Sequence, residues 1–193
     1  MQQRFDEAPA PMVLEDLARE AAGCRRCGLR AGCRGVVFGE GDPHAAIVLV
    51  GEGPGRTEDE LGRPFVGAAG KLLDRILEAA GFSRASVYIT NAVKCRPPAN
   101  RIPFPEEVAA CRPWLDRQFA AVKPRIVVCL GAAATQALLN AEARISRVRG
   151  QWFERDGRLY LPTFHPAALL RDSSKKRPVW EDFKALRARY LGE

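Results

Sequence analysis

The chain has 193 residues, 47% hydrophobic and 27% charged, which suits one domain with a real core and is short for two. Its net charge of +7 favours a polyanionic partner. No apolar run approaches the roughly 20 residues of a membrane span, and the N-terminus MQQRFDEAPAPMVLEDLAREA lacks an apolar signal core. A cytoplasmic protein with no membrane partner is therefore expected. In that reducing setting six cysteines point to metal ligation or plain burial before disulfides.

Residues 1–12 are polar and proline-rich and read as a loose lead-in to a single domain spanning 1–193. A short helix fits 13–22, with Val13, Leu14, Leu17, Ala18 and Ala21 on one face and Gly23 as its stop. CRRCGLRAGC follows at 24–33. AIVLVG (46–51) is a continuous β-branched run, short enough for a strand buried on both faces, and VYITN (87–91), RIVVCLG (125–131) and RLYLPTFHP (158–166) match it. Between them GKLLDRILEAAGF has helical spacing, as do 105–122, 131–140 and 178–191. Pro105, Glu106 and Glu107 suit a helix start, whereas Pro113 predicts a kink or a division. The last helix carries Trp180, Phe183, Leu186 and Tyr190 on one side. Strands alternating with helices predict a three-layer α/β/α sandwich around a four-stranded parallel sheet. In such sheets functional residues sit beyond the carboxyl ends of the strands, here GEGPG, TNAVKC, CLGAAA and TFHP.

GEGPG (51–55) is neither a dinucleotide fingerprint nor a P-loop, because Arg56 falls where the last glycine is needed and no G-K-[ST] follows. Gly53 and Gly55 permit close backbone approach by a flat ligand; the turn also fits a ligand-free link from strand to helix. Glu52, Glu58, Asp59 and Glu60 put carboxylates near it, and Phe65 lies out of helical or strand period, either a core plug or a stacking platform for a base. Cys24 and Cys27 form C-x2-C, Cys95 follows a strand end, and Cys111 falls on a helix. Four thiolates suit zinc or a [4Fe–4S] cluster, with Cys33 as a substitute ligand and Cys129 as core. Arg25, Arg26, Arg96 and Arg112 would offset the thiolate charge.

GEGPG, PFVG, NAVKCRPPANR, the spaced cysteine quartet and the late HP, in this order, closely resemble the family 4 uracil-DNA glycosylases, over about Cys24 to Trp180. The resemblance implies a structural [4Fe–4S] cluster on Cys24, Cys27, Cys95 and Cys111. It implies a monofunctional, monomeric enzyme that hydrolyses the bond between uracil and deoxyribose in single- or double-stranded DNA, leaving an abasic site for base excision repair. A base must be flipped out of a duplex to be reached. Phe65 would stack on it, Asn91 would read its edge, donating to O4 and accepting from N3–H, and His165 would donate to O2 as charge develops there. The family position that elsewhere carries Asp or Asn is Gly53 here. Glu58 is therefore expected to orient water and Glu52 to shape the turn, with Asn100 near the sugar. HPAALLR (165–171) resembles a minor-groove loop, in which Leu169 or Leu170 would wedge and Arg171 would hold phosphate, with Lys175 and Lys176 beside it. Each residue also has a plainer reading: His165 as a cap, Asn91 as a turn residue, the leucines as core. A cross-linking relative would need a histidine in CRPPANRIPFPEE, which has none. A non-catalytic iron–sulfur binder or sensor would need neither Asn91 nor His165.

Overall fold

The computed structural model of the chain describes residues 10–192. In chain order α1 (Ala10–Ala22) and α2 (Leu29–Gly32) precede β1 (Glu40–Gly41) and β2 (Ile47–Gly51). Then come α3 (Arg56–Leu61), α4 (Ala68–Ala79), β3 (Tyr88–Asn91), α5 (Pro105–Val122) and β4 (Ile126–Leu130). The chain continues with α6 (Ala132–Leu138), α7 (Ile145–Val148), β5 (Phe153–Arg155), β6 (Arg158–Thr163), α8 (Pro166–Arg171) and α9 (Lys176–Leu191). Among the described residues the sheet has six strands in the order β1-β3-β2-β4-β6-β5. The four inner strands are the predicted parallel ones, and β1 and β5 add an antiparallel margin on either side. These edge strands escape sequence reading because two or three residues carry no periodicity.

Every residue of β2 and β4 is buried, as expected for strands covered on both faces. Alternation divides them between two cores. Val48, Val50, Val127 and Cys129 face α1, α5 and α6 through Leu14, Leu17, Trp114, Phe119 and Leu138. Ile47, Leu49, Ile126 and Val128 face the other way, onto Leu73 and Leu77 of α4, Leu169 of α8, and Phe183 and Leu186 of α9. The sheet is thus the middle layer of the predicted sandwich.

Three details differ from expectation. Ala10 to Met12, assigned to the lead-in, are helical; the rest of that segment, 1–9, lies outside the described residues. Pro113 does not divide α5, which runs unbroken across it. The buried face of α9 is Val179, Asp182, Phe183 and Leu186, while Trp180 and Tyr190 are each 39% exposed. Asp182 is tolerated inside because it accepts from Thr163 Oγ1 at 2.6 Å and pairs with Arg149.

Candidate active site

A cleft of about 590 Å³ opens beyond the carboxyl ends of the inner strands. Glu52, Gly53, Gly55, Glu58, Phe65, Asn91, Asn100, Gly131, His165, Arg171 and Lys175 all contribute to its walls. Register explains the convergence. Gly51 and Asn91 are paired neighbours at the ends of β2 and β3, and Gly131 N–H extends the ladder to Thr163 O at 2.8 Å, two residues before His165. At Gly51 a methyl group would collide with Asn91 Oδ1 and the Phe65 ring, so glycine is what lets these two groups share the floor. At Gly131 the chain turns with φ +91°, and a Cβ would lie 2.8 Å from that of His165.

Phe65 is buried, and its backbone is left-handed at φ 51°, an uncommon conformation for an aromatic residue that its surroundings must impose. Glu58 Oε1 accepts from Val66 N at 2.9 Å and Gly67 N at 2.8 Å. From the other side Arg84 donates to Phe65 O at 3.0 Å and to Pro64 O, while pairing with Asp74 and Glu40. The ring so held lies 5.5 Å from the His165 imidazole, tilted 32° to it.

Asn91 is almost wholly buried, and its Oδ1 is the one buried side-chain N or O atom among the described residues without a hydrogen-bond partner. A buried acceptor left unpaired is costly, so this one is poised for a donor from outside the protein. Its main chain, by contrast, is tied down: Lys94 Nζ donates to Asn91 O and to Thr90 Oγ1, both at 2.7 Å.

His165 caps α8, with Nδ1 accepting from Ala167 N at 3.1 Å. The cap and the site role are therefore compatible: accepting through Nδ1 puts the proton of the neutral ring on Nε2. Burial, reinforced by the positive charge of Arg171 and opposed by Glu58, lowers the imidazole to about 4. The ring is a neutral donor at physiological pH. Burial alone raises the Glu52 carboxyl above its ordinary value. Asn100 lies on the rim at φ 54°, its Oδ1 accepting from Arg96 Nε at 2.7 Å. Leu169 is corrected: it is 3% exposed and belongs to the core, because the first turn of α8 points it at the sheet. Leu170 is the exposed residue, at 52%.

The thiols of Cys24, Cys27, Cys95 and Cys111 line one small cavity behind β3, together with Lys94, Val93 and Trp114. Trp114 Nε1 donates to Cys24 Sγ and Lys94 N to Cys111 Sγ, both at 3.3 Å. Among the described residues no three His, Cys, Asp or Glu side chains converge on a single ion. Cys33 stands beside Cys95, and Cys129 is core as expected.

Sequence reading missed Lys94 and Arg84. A lysine inside the apolar stretch NAVKC was the available signal for the first. Arg84, on a surface turn, gave none.

The profile of the uracil DNA glycosylase superfamily matches residues 38–184. A type-4 uracil-DNA glycosylase of Archaeoglobus fulgidus is 45% identical over 90% of this chain and 91% of its own length. One of Thermotoga maritima is 44% identical over 89% and 92%. A type-5 uracil-DNA glycosylase of Thermus thermophilus is 40% identical but covers only 53% of each chain.

Proposed function

Since the chain belongs to the uracil-DNA glycosylase superfamily and aligns with type-4 members over nine-tenths of its length, we propose that it removes uracil from DNA by hydrolysing the N-glycosidic bond. The observation that carries this reading is the unpartnered Asn91 Oδ1, buried on the cleft floor beside Phe65. Uracil offers a donor at N3–H, and cytosine has none at N3, so the wrong pyrimidine leaves the acceptor bare.

The flipped base enters between the strand ends and stacks on Phe65, whose ring needs no rearrangement because its loop is braced from both sides. Asn91 accepts from N3–H and donates to O4. As the bond between N1 and C1′ lengthens, charge builds on the base, and the Nε2–H of neutral His165 donates to O2. The proton stays on His165, and the uracil anion leaves. Water adds to C1′ of the sugar cation and passes its proton by way of the Glu52 carboxylate to the departed uracil anion, giving the abasic sugar and neutral uracil.

The two carboxylates divide the remaining work. Glu58 is occupied by the amides of Val66 and Gly67, whereas Glu52 lines the cleft with no such engagement. This supports the reverse of the sequence expectation: Glu52 orients the water and faces the sugar cation, and Glu58 positions Phe65. Asn100 and Arg171 contact the sugar or the strand, and Leu170, not Leu169, is the wedge.

Cys24, Cys27, Cys95 and Cys111, which line one cavity, would hold a [4Fe–4S] cluster with a structural part, joining the segment after α1 to the β3 loop and α5. Cysteines kept out of disulfides and available to a cluster fit a reducing cytoplasm, and among the described residues no helix is long and apolar enough to cross a membrane. The test is single-turnover base release from an oligonucleotide bearing one uracil, with a cytosine strand as control and alkali to cut abasic sites. Cleavage at uracil alone is expected; none, with DNA still bound, would turn the reading toward a non-catalytic binder.

A further inference from the structure

The segment between Pro97 and α5 is built more firmly than a surface loop needs to be. Ala99 and Asn100 are consecutive left-handed residues, at φ 52° and 54°. Neither is glycine, so the conformation is held at a cost. Arg101 makes a two-pronged pair with Glu107, at 2.8 and 2.7 Å, and also donates to Ile102 O at 3.0 Å. Glu107 accepts from Phe104 N at 2.8 Å, and the guanidinium of Arg101 lies 3.8 Å from the Phe104 ring centre. Arg101 is thus spent on the loop. What this scaffold presents is Ile102, 69% exposed, on the wall of the same cleft as Phe65, Asn91 and His165. Holding an apolar branched side chain in water on a rigid mount suits a partner that will cover it.

Resting on the reading of the cleft as a uracil site, we propose that Ile102 is a second apolar probe, which enters the base stack next to the extruded uracil and props the duplex open. The occupant is the stack of the uracil-bearing duplex. Two features favour it: Ile102 is continuous with the cleft that takes the flipped base, and Arg171 and Lys175 line that cleft while Arg96 holds Asn100 on its rim, positive charge suited to the flanking phosphates. Leu170 of α8 and Ile102 of this loop are carried by different elements, so the opened step is held by two mounts. The loop's rigidity means that binding does not have to order it.

A prop acts on stacking and pairing that must be broken, so its value follows the stability of the pair. Single-turnover uracil release would be measured for Ile102→Ala, Ile102→Phe and wild type on a U·A duplex, a U·G duplex and a single strand. Leu61→Ala, at an exposed leucine that does not line the cleft, serves as control. Ile102→Ala is expected to slow U·A release about tenfold more than single-strand release, with U·G between them, and Ile102→Phe to restore most of the loss. With 2-aminopurine next to uracil, the fluorescence rise on binding should shrink in Ile102→Ala. Equal slowing on all three substrates, or no slowing on any, overturns the proposal while leaving the uracil site intact. If wild type releases no uracil even from the single strand, the reading of the cleft falls and the proposal falls with it.

Discussion

His165 commits one ring nitrogen to the protein and leaves the other for a ligand, and Asn91 keeps its buried Oδ1 unpaired; that division predicts what substitution will do. His165→Ala should lower single-turnover uracil release by about 10²–10³-fold, the usual loss for one donor to a developing anion, with a folded far-ultraviolet spectrum. Asn91→Ala should do likewise. Full rates in both variants would remove these residues from the mechanism. Because His165 titrates near 4, well below its ordinary 6.5, the rate should show no inflection near 6.5. The acid limb instead belongs to Glu52, raised by burial above its ordinary 4.5, and Glu52→Gln should abolish it. A profile measured between about pH 4 and pH 8 separates the two. The same depressed imidazole affects stability. The unfolded chain takes up a proton below about 6.5 while the folded one resists it until about 4, so this group withdraws stability as pH falls through that window. Glu58→Ala should act differently from Glu52→Gln, weakening substrate binding through a loosened Phe65 more than it slows chemistry. Glu58→Gln keeps an acceptor oxygen and should recover much of the loss. If Glu58→Gln lost as much turnover as Glu52→Gln, the assignment of the two would be the wrong way round.

At the level of elements, α8 shows how one turn of helix separates stability from function. Leu169 faces the sheet and Leu170 faces solvent, so adjacent truncations should have unlike effects. Leu169→Ala should cost about 2–5 kcal/mol in urea unfolding, as a core cavity does. Leu170→Ala should leave the midpoint within about 0.5 kcal/mol and slow release from duplex DNA more than from single strands. A large stability loss at Leu170 would contradict the placement. The turn after β2 carries a second consequence. A Cβ at Gly53 would sit 2.8 Å from Val93 Cγ2 and 3.6 Å from Pro97 Cδ. Gly53→Asp, attractive from the sequence as a way to add a water-orienting carboxylate, must therefore displace Val93 and should destabilise the fold by about 1–3 kcal/mol. Combining it with Val93→Ala should recover part of that loss. The sequence marks this turn by its glycines. It does not reveal that a valine from the next strand's loop fills the space beside it, because that contact exists only once β2 and β3 have paired.

Across the whole molecule, what could be read in advance follows physical range. The four parallel strands were legible from β-branched runs, and their ends pointed to the cleft through a general property of parallel sheets. Phe65 stood out because it falls out of helical or strand period, and Asn91 and His165 because they follow strand ends, their roles coming from the family resemblance. Arg84 and Lys94 did not, since their partners lie on loops or strand ends whose packing only tertiary structure defines. The roles of Glu52 and Glu58 could not be told apart for the same reason: the distinction rests on which carboxylate the amides of Val66 and Gly67 reach. The sheet also splits the apolar interior in two. One half, beneath α1 and α5, packs against the four thiols; the other, beneath α4 and α9, packs behind Phe65. Such halves can open separately, as cooperative units of unequal stability. Oxidation or chelation that strips the thiol cavity should speed amide exchange in α1, α2 and α5 while α4 and α9 stay protected. Uniform exchange through both would show a single unit. With two units, wear is confined to one face of the protein, and the other persists as an ordered template on which the damaged layer can reassemble.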